Sequence, residues 1–367
     1  MFCIKALDVP GGGAERVLTV VASGLAAKGH DVRVLTFDVP GGSSFYRMDS
    51  RVRRISLGLG PTDRRMGWKH FLARIRALRR VVRSEKPDVA VGFMHSMFVP
   101  LAFSMVGLRT PLVASEHIVP EYYRDRRAQY GLFMLGCLLA TRVTVLSAAV
   151  RELYPRFLRT RMVPMPNPAV FFDARDVDAD DDPTTKTVLS VGRLEPQKDH
   201  ATLIAAFARA ANRFPDWNLR IVGEGSLRGQ LEGMVSDLDL DGRMALPGTT
   251  ADIEAEYARA SLLAVPSRFE SFGMVTAEAM AVGLPVIGFA DCPGTNELIA
   301  HGANGWLVHV PRGEDRVSAY AHGLSTLMGD SALRQRLGTE GRRSVRRFHP
   351  DDIVSSWERL LKDMVAH

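Results

Sequence analysis

The chain has 367 residues, of which 46% are hydrophobic and 24% charged, a composition typical of globular proteins and unlike that of disordered or fibrous ones. This length suits two domains of ordinary size. The three cysteines, Cys3, Cys137 and Cys292, are far apart in the sequence. Their spacing argues against a disulfide framework or a cysteine metal site and favours a reducing, cytoplasmic location.

Charge distinguishes the two halves of the chain. Residues 1–170 carry 26 Lys and Arg against 12 Asp and Glu, a net charge of +14, whereas the remaining residues carry 21 against 29, a net charge of −8. The two halves are therefore expected to face different partners.

Short apolar or β-branched segments alternate with segments of helical spacing through the first half. The predicted strands are "CIKALDV", "HDVRVLTF", "PDVAVGF", "PLVASEH" and "RVTVLS". The opening "MFCIKALDV" is interpreted as a strand and not as a secretory signal, because no basic segment precedes an apolar one. The apolar window 131–150 contains Arg142 and becomes β-branched in its second half, which predicts a helix and then a strand instead of a membrane span. The alternation of strands and helices in this half indicates a parallel sheet covered by helices.

One helical segment of this half, "GWKHFLARIRALRRVVRSEK", has an apolar face and a basic flank. The apolar face is expected to pack on the sheet, and its members are Trp68, Phe71, Leu72, Ile75, Leu78 and Val82. The flank is either simply solvated or available to an anionic surface, and its members are Lys69, Arg76, Arg80 and Arg83.

Acidic residues and a proline after "VPMPNPAV" mark a solvated linker near residue 175. We place an N-terminal domain at residues 1–170 and a C-terminal domain at 171–350, followed by a C-terminal helix at 351–367. One interpretation of this last helix is that it packs back on the first domain. An Asp-x-Asp metal site within "FFDARDVDADDDPTTK" is the alternative interpretation, but charge runs of this kind are usually solvated.

The alternation of strands and helices repeats in the second half. Its predicted strands are "TVLSVGRL", "NLRIVG", "RMALPG", "SLLAVPS", "LPVIGF" and "GWLVHV". The predicted fold class is therefore α/β, with two facing Rossmann-like, doubly wound parallel-sheet domains. Such sheets bind ligands at the carboxyl ends of their strands, so functional residues are expected in the turns that follow strands.

Two of these turns carry features that suit a phosphate-bearing ligand. After the first strand, Gly11, Gly12 and Gly13 precede a helix, where backbone N–H groups can approach an anion; a plain tight turn explains them equally well. In "SVGRLEPQKDH", Arg193 and Lys198 lie five residues apart in a polar loop. Two cations there can neutralise a diphosphate, and two solvated surface cations are the alternative.

The stretch "SRFESFGMVTAEAMAVGLPVIGF" places Glu270 and Glu278 on either side of a helix start. The N–H groups near Gly273, Met274 and Val275 would be free to hold a phosphate. The two carboxylates would then accept hydrogen bonds from hydroxyls on either side of that phosphate, the layout of sugar, diphosphate and ribose. In the alternative interpretation Glu270 caps the helix and Glu278 is merely exposed.

Several segments together resemble a known family. "GRLEPQK", "SRFESFGMVTAEAMAVGLPVI", "GTNELI" and "GANGWLV", in this order and with N-terminal "GGGAER", are similar to the family 4 retaining glycosyltransferases of GT-B architecture. The resemblance covers nearly the whole chain and is strongest from residue 190 to 308. It implies an enzyme, a hexosyltransferase, of the type that assembles bacterial cell-surface glycans.

The resemblance also implies a role for each matching position. Glu270 would hold hydroxyls of the donor sugar, Glu278 would bind the ribose, and Arg193 with Lys198 would contact the diphosphate. His117, in "ASEHI", matches a histidine near the reacting centre. The matching residues of the catalytic set are thus His117, Glu270, Arg193 and Lys198, and Gly12 and Gly13 match the loop that closes over the donor.

One position departs from the family pattern. Asn167 lies where the family commonly has Asn-Gly at the crossover between domains, and Pro168 replaces the glycine here. The departure affects the detail of the hinge and not the expected chemistry.

The resemblance implies transfer with retention of the anomeric configuration and without a metal or another cofactor. The expected donor is a nucleotide diphosphate sugar, a UDP-sugar in preference to a GDP-sugar used by a mannosyltransferase. The expected acceptor is a saccharide linked to a lipid. With such an acceptor, the basic N-terminal half would dock on an anionic membrane surface, through Lys69, Arg76, Arg80 and Arg83, as a cytoplasmic protein peripheral to the inner face of the cell membrane.

Two other classes of protein explain part of the sequence. An NAD-dependent oxidoreductase would account for the glycines and the alternation, but it requires spaced glycines after the first strand, and those here are consecutive. A nucleic-acid-binding or membrane-scaffold protein would account for the basic half but not for the motifs in the acidic half. No nucleic acid partner is therefore expected.

Overall fold

A computed structural model describes residues 1–8, 12–60, 67–169, 186–250 and 252–366. The chain forms two compact units. The first comprises Met1–Pro168 together with Pro350–His367, and the second comprises Ala169–His349. Asn167 therefore lies beside the point where the chain passes from the first unit to the second.

The first unit contains a seven-stranded sheet in which every described strand pair is parallel. Its strands are β1 (Phe2–Cys3), β2 (Arg33–Thr36), β3 (Arg53–Ser56), β4 (Ala90–Phe93), β5 (Leu112–Ser115), β6 (Arg142–Val145) and β7 (Met162–Pro164). Their order across the sheet is β3-β2-β1-β4-β5-β6-β7. The order reverses between β1 and β4, which is the position where doubly wound sheets bind ligands.

Helices alternate with these strands. They are α1 (Gly13–Ala27), α2 (Trp68–Glu85), α3 (His95–Met105), α4 (Arg127–Leu139), α5 (Ala148–Glu152) and α6 (Arg156–Arg159), with a 3-10 turn at Pro120–Tyr123. The window 131–150 thus forms the end of a helix and then strand β6, as predicted. No helix among the described residues has the length and apolar character needed to cross a membrane.

The second unit contains a six-stranded parallel sheet. Its strands are β8 (Lys186–Val191), β9 (Trp217–Val222), β10 (Met244–Gly248), β11 (Leu262–Val265), β12 (Val286–Phe289) and β13 (Trp306–Val308). They follow the order β10-β9-β8-β11-β12-β13, which reverses between β8 and β11. The predicted α/β class with two doubly wound parallel sheets is confirmed.

The helices of the second unit are α7 (His200–Ala211), α8 (Arg228–Asp237), α9 (Ile253–Arg259), α10 (Met274–Ala281), α11 (Thr295–Leu298), α12 (Arg316–Gly329) and α13 (Ser331–Ser344), and a 3-10 turn follows at Val345–Phe348. Its core is apolar and continuous across the sheet. Trp217, Phe207, Phe289 and Tyr320 are among the largest side chains that are fully buried there.

The last helix, α14 (Pro350–Ala366), belongs to the first unit. Its Trp357 ring stacks on Phe93 with centroids 5.8 Å apart and meets Phe2 edge-on. Gly24 of α1 lets the two helices approach closely, because a Cβ there would lie 2.5 Å from a methyl carbon of Val354. Burial of these aromatic side chains on β1 and β4 contributes apolar stabilisation to the contact.

Helix α2 departs from its predicted packing. Leu78 and Val82 are buried and Phe71 meets Phe103 of α3 edge-on, as expected for an inward face. Trp68, however, is 69% exposed and Leu72 is 36% exposed. The prediction that these two residues are buried on the sheet is wrong, because both keep more than a third of their surface exposed.

Candidate functional site

Side-chain hydrogen bonds join the loops that follow β8 and β11. These two strands are neighbours at the reversal of the second sheet. The Nζ of Lys198 donates to Oε1 of Glu270 over 2.6 Å, and the hydroxyl of Ser267 donates to the same oxygen over 2.6 Å. The side chains of Lys198 and Glu270 are only 16% and 12% exposed. The structure therefore brings together a cation and an acid that are 72 residues apart in sequence.

The backbone of the two loops reinforces this contact. The N–H of Arg268 donates to the carbonyl of Gln197, and the side-chain amide of Gln197 donates to the carbonyl of Phe269, both over 2.9 Å. These bonds fix the loop positions on either side of the Lys198–Glu270 pair. Sequence reasoning did not identify Gln197, which could have been found only from its place inside the "GRLEPQK" loop.

A third loop, which follows β12, holds the backbone of Glu270. The N–H of Glu270 donates to the carbonyl of Pro293 over 2.9 Å. Gly294 has a φ of 79°, and a Cβ at that position would lie 2.6 Å from the carbonyl oxygen of Glu270. Only glycine tolerates both the backbone angle and the close approach, so Gly294 is a residue of the site that sequence reasoning had not singled out.

Helix α10 begins where the sequence predicted. Gly273, its N-cap, has a φ of 81° and provides no side-chain cap, and the N–H of Ala277 makes the first intrahelical bond, to the carbonyl of Gly273. The N–H groups of Met274 and Val275 lie in the first turn, where the helix itself offers no acceptor. The helix end therefore presents backbone donors and partial positive charge directly after the Glu270 loop.

The surroundings of the two acids contradict the alternative interpretation, in which Glu270 caps the helix and Glu278 is exposed. Glu270 does not cap α10 but binds Lys198 and Ser267. Glu278 is only 3% exposed and accepts a hydrogen bond from the hydroxyl of Tyr257 over 3.0 Å. Because a buried carboxylate needs hydrogen-bond partners, Tyr257 of α9 is a further residue that holds the site together.

Arg193 lies in the same loop as Lys198. Its side chain is exposed, and none of the described residues forms an ion pair with it. The loop packs against the turn after β9, where Gly223 and Gly225 leave no room for a Cβ beside the carbonyls of Gly192 and Leu194. In the sequence, "VGEGS" places two glycines directly after a predicted strand. Sequence reasoning did not single out these glycines.

His200, directly after the loop, is buried, and burial lowers its pKa to about 4, with the charge of Lys198 acting in the same direction. The imidazole is therefore neutral at neutral pH. This residue was also missed, because a histidine at the start of a predicted helix has no distinguishing spacing.

In the first unit, His117 follows β5 at the carboxyl end of the sheet. Its ring stacks on Phe93 with centroids 4.9 Å apart, and its Nε2 lies 3.0 Å from the hydroxyl of Ser115. Burial lowers the pKa of His117 to about 4, so the imidazole is neutral at pH 7. Its Nδ1 is buried without a hydrogen bond of good geometry among the described residues, and a side-chain interaction with Asn167 opposes the lowering of the pKa.

The neighbouring Glu116 was missed by sequence reasoning. Its carboxylate accepts the N–H groups of His117 and Ile118 over 3.0 and 2.8 Å, and burial raises its pKa to about 8. These bonds hold the turn that presents His117. The residue type gave no signal, because a glutamate beside a strand end is normally exposed.

Gly12 and Gly13 lie at the start of α1, after β1 at the reversal of the first sheet. A Cβ on Gly12 would clash with the carboxylate of Glu15, whereas a Cβ on Gly13 would meet nothing within 4 Å. Burial raises the pKa of Glu15. Gly11, the first glycine of the predicted loop, lies outside the described residues.

The basic flank of α2 forms a separate surface of the first unit. All four of its cations, Lys69, Arg76, Arg80 and Arg83, are exposed. The structure does not place them with His117. Across the described ranges, no group of three or more His, Cys, Asp or Glu residues is arranged to hold a metal ion.

Comparison with known proteins assigns both halves of the chain. Residues 11–168 match the family model "Glycosyltransferase Family 4", and residues 174–344 match "Glycosyl transferases group 1". A relative from Campylobacter jejuni, "GalNAc-alpha-(1->4)-GalNAc-alpha-(1->3)-diNAcBac-PP-undecaprenol alpha-1,4-N-acetyl-D-galactosaminyltransferase", is 27% identical over 357 residues, which are 96% of each chain.

Two solved structures share the fold. Sucrose-phosphate synthase from Thermosynechococcus elongatus aligns with a TM-score of 0.80 and 23% identity, over 100% of this chain and 98% of that one. Anabaena HepE in complex with UDP and glucose aligns with a TM-score of 0.76 and 22% identity, over 99% of each chain. These likenesses show the fold alone, and they confirm the predicted GT-B architecture.

Proposed function

The chain belongs to the group 1 and family 4 glycosyltransferases of the GT-B fold, and from that membership we propose that it is a retaining hexosyltransferase. In this proposal it moves a hexose or N-acetylhexosamine from a UDP-sugar to a saccharide linked to a lipid. The observation that carries the proposal is the Lys198–Glu270 pair beside the N-terminus of α10, because it combines a cation, a carboxylate and free backbone donors at one sheet reversal.

The diphosphate of the donor is assigned to Arg193, Lys198 and the first N–H groups of α10. Guanidinium and ammonium groups neutralise the charge that develops as the nucleotide diphosphate leaves. Arg193 is exposed and without an ion-pair partner among the described residues, so it is available for this contact. Lys198 keeps Glu270 as its partner and can reach a phosphate oxygen with its remaining donors.

The two carboxylates are assigned to the two ends of the donor. Glu270, whose Oε1 is held by Lys198 and Ser267, accepts hydroxyls of the transferred sugar. Glu278, bonded to Tyr257, accepts hydroxyls of the ribose. Their positions before α10 and in its second turn correspond to the two sides of a diphosphate at the helix N-terminus.

Transfer proceeds in this proposal by attack on the face from which the leaving group departs. The acceptor oxygen forms a bond to the anomeric carbon as the bond from that carbon to the phosphate oxygen breaks. The acceptor proton passes to a phosphate oxygen of the donor, so the product keeps the anomeric configuration. Neutral His117 contributes a hydrogen bond at the reacting centre and carries no charge.

The relatives support the choice of substrates. The printed name of the Campylobacter jejuni relative specifies N-acetylgalactosamine transfer to an undecaprenol-linked saccharide. The Anabaena structure contains UDP and glucose. An acceptor of this kind lies at a membrane, and we propose that the exposed cations of α2, joined by exposed Trp68, dock the first unit on anionic lipid at the inner face of the cell membrane.

Calorimetric titration tests the donor assignment directly. UDP, GDP and NAD are titrated into the full-length protein and into Lys198→Ala, and a panel of sugar donors follows. We expect UDP to bind and the affinity to fall in the variant. Preferential binding of GDP would move the donor to a GDP-sugar, and binding of NAD alone would overturn the proposed function.

A further inference from the structure

The first unit contains a large cavity that lies away from the residues assigned to the reaction. Its volume is about 1170 Å³, and its lining comes from the end of α3, the loop from α3 to β5, the starts of β5 and β6, strand β7 and helix α14. All of these segments belong to the first unit. Pro111 and Thr141, which directly precede β5 and β6, line the cavity, whereas His117 follows the other end of β5. The cavity therefore lies at the amino ends of these two strands, opposite to the edge where doubly wound sheets bind their substrates.

The sheet forms one wall of this cavity, on the side that α14 covers. Arg142 and Thr144 point to the same face of the sheet, because side chains alternate along a strand. The hydroxyl of Thr144 donates to that of Ser115 over 2.8 Å. Ser115 lies beside Phe93, whose ring stacks on Trp357 of α14. Arg142 therefore projects from the face of the sheet on which α14 packs.

Helix α14 forms a second wall with one of its sides. Its lining residues are spaced by three and four positions, which places them along a single stripe of the helix. They are Ser356, Arg359, Leu360, Asp363 and Met364. Trp357 is outside this stripe and holds the helix on Phe93 of β4. Because aromatic packing fixes the position of α14, the cavity is preformed, as ligand sites usually are.

The lining carries more positive than negative charge. Its charged members among the described residues are three arginines and one acid, Arg109, Arg142, Arg359 and Asp363. All three arginines are exposed, and in the described part of the chain none of them forms an ion pair. Arg142 donates to the carbonyl of Thr141 and Arg359 donates to the hydroxyl of Ser356, so most of the five N–H donors of each guanidinium remain unused. An anionic group is the ligand that this set of donors would bind.

Much of the remaining lining is apolar and adaptable. Three buried methionines, Met105, Met165 and Met364, belong to it. Methionine is unbranched and polarizable, so its side chain adjusts to flexible apolar groups. The cavity therefore combines donors for an anion with a lining suited to a hydrocarbon chain.

An exposed apolar surface begins at the edge of the cavity. Val106 and Leu139 both line the cavity and are both exposed. Leu135 and Leu132 precede Leu139 by four and seven positions in α4, which places them on the same side of the helix. They are exposed as well. Contiguous exposed apolar side chains usually mark an interaction site, and here they would contact the part of a chain that extends out of the cavity.

We propose that this cavity binds a lipid phosphate, that is, a hydrocarbon chain that ends in a phosphate ester. The arginine forks match the geometry of phosphate oxygens, and burial of the chain against the methionines and Leu139 stabilises the complex. The site lies at the opposite strand ends from His117 and in a different unit from Lys198. It is therefore separate from the residues assigned to glycosyl transfer and does not depend on that assignment.

Calorimetry with the full-length protein tests the two halves of the proposed ligand separately. The probes are decyl phosphate, decyl maltoside, which has the same chain and an uncharged head, and glycerol 3-phosphate, which has a phosphate ester and no long chain. Each is used below its micelle concentration. We expect decyl phosphate to bind at least about tenfold more tightly than either of the others and to raise the melting temperature.

A lysophosphatidic acid distinguishes two sources of the same chemistry. Tighter binding of this probe than of decyl phosphate would support the site and assign it to a membrane phospholipid. The reverse order would support the site and assign it to a lipid whose phosphate is attached directly to the chain.

Matched variants connect the binding to the named residues. The double variant Arg109→Gln with Arg142→Gln should weaken binding of decyl phosphate by about tenfold or more. Asp363→Asn should strengthen it, because the substitution removes the acid from the lining. Arg156→Gln, which removes an exposed arginine of α6 outside the lining, should leave it unchanged. All of these side chains are exposed, so the variants are expected to fold.

Three results would overturn the inference: decyl maltoside or glycerol 3-phosphate binds as tightly as decyl phosphate, the double variant keeps the wild-type affinity, or Arg156→Gln weakens binding as much as the double variant does. Failure of the proposed function is distinguished by the nucleotide. A protein that binds decyl phosphate through Arg109 and Arg142 but does not bind UDP would retain this site and lose the glycosyl-transfer assignment.

Discussion

Lys198→Ala tests the central assignment, because one substitution removes a charge with two roles. In the protein alone, Lys198 neutralises the carboxylate of Glu270 through a 2.6 Å contact. In the proposed reaction, it also neutralises the leaving diphosphate. The variant should therefore lose both stability and transfer activity, and the two losses are separable by measurement.

The stability loss follows from the burial of the pair. Exposed ion pairs contribute about 0 to 1 kcal/mol, whereas removal of one partner from a buried pair costs about 3 to 5 kcal/mol. Lys198 and Glu270 are mostly but not completely buried, at 16% and 12% exposed. We therefore expect Lys198→Ala to lower the free energy of unfolding by about 1 to 3 kcal/mol. The double variant Lys198→Ala with Glu270→Ala should lose less than the sum of the two single losses.

The activity loss should be larger than the stability loss explains. Removing one preorganised charge from a transition state typically lowers turnover by about 100- to 1000-fold, or about 3 to 4 kcal/mol of activation free energy. The value of kcat/KM should fall by this factor at a temperature where the variant remains folded. The UDP affinity should fall as well, because free UDP carries the same diphosphate.

Lys186→Ala is the matched control. Lys186 forms an ion pair with Asp216 over 2.9 Å in the same unit, but the two side chains are 32% and 44% exposed. Lys186 begins β8 and Asp216 directly precedes β9. Its loss should cost less than about 1 kcal/mol and leave transfer unchanged. Assays of thermal unfolding, UDP affinity and initial rates distinguish the two variants. Near-wild-type turnover in Lys198→Ala would refute the diphosphate assignment.

Four further outcomes are expected. Glu278→Ala should mainly weaken nucleotide affinity in calorimetry, whereas Glu270→Ala should impair sugar transfer more than UDP binding; equal effects would contradict the separate ribose and sugar roles. Product from an α-linked UDP-sugar should be α-linked by NMR, with a rate unchanged by EDTA; a β product would indicate inversion. Burial lowers the pKa of His200 from 6.5 to about 4, so its contribution to stability is complete above pH 6.5 and declines toward pH 4. The melting temperature of His200→Gln should therefore depend less steeply on pH over that range than that of the wild type. An unchanged slope would contradict this expectation. Cosedimentation with anionic vesicles should be salt-sensitive and weakened by Arg76→Glu with Arg80→Glu; equal binding to neutral vesicles would exclude electrostatic docking.

Much of the fold was predictable from local patterns. Strand and helix segments alternate because buried parallel strands read as short apolar runs and their covering helices have a period of 3.6 residues. The start of α10 was predictable for a similar reason, since Gly273 adopts a positive φ that marks a helix boundary. Both features depend on neighbouring residues only, so the sequence by itself determined them.

Other features of the site depended on contacts between distant segments. The sequence indicated Lys198 and Glu270 separately, but their pairing required β8 and β11 to be neighbours in the sheet. Gly223 and Gly294 became informative only when the carbonyls that they approach were in place. Glu116 showed no unusual spacing, and its significance comes from its burial and from the backbone N–H groups that its carboxylate accepts.

Exposure was the property least accessible to sequence reasoning. Trp68 has the periodicity of a buried face and is exposed, whereas Glu278 has the chemistry of a surface residue and is buried against Tyr257. Periodicity specifies which side of a helix a residue occupies, but not whether another element covers that side at that turn. Coverage depends on contacts with other elements, such as that of Phe71 in α2 with Phe103 in α3 and that of Tyr257 in α9 with Glu278 in α10.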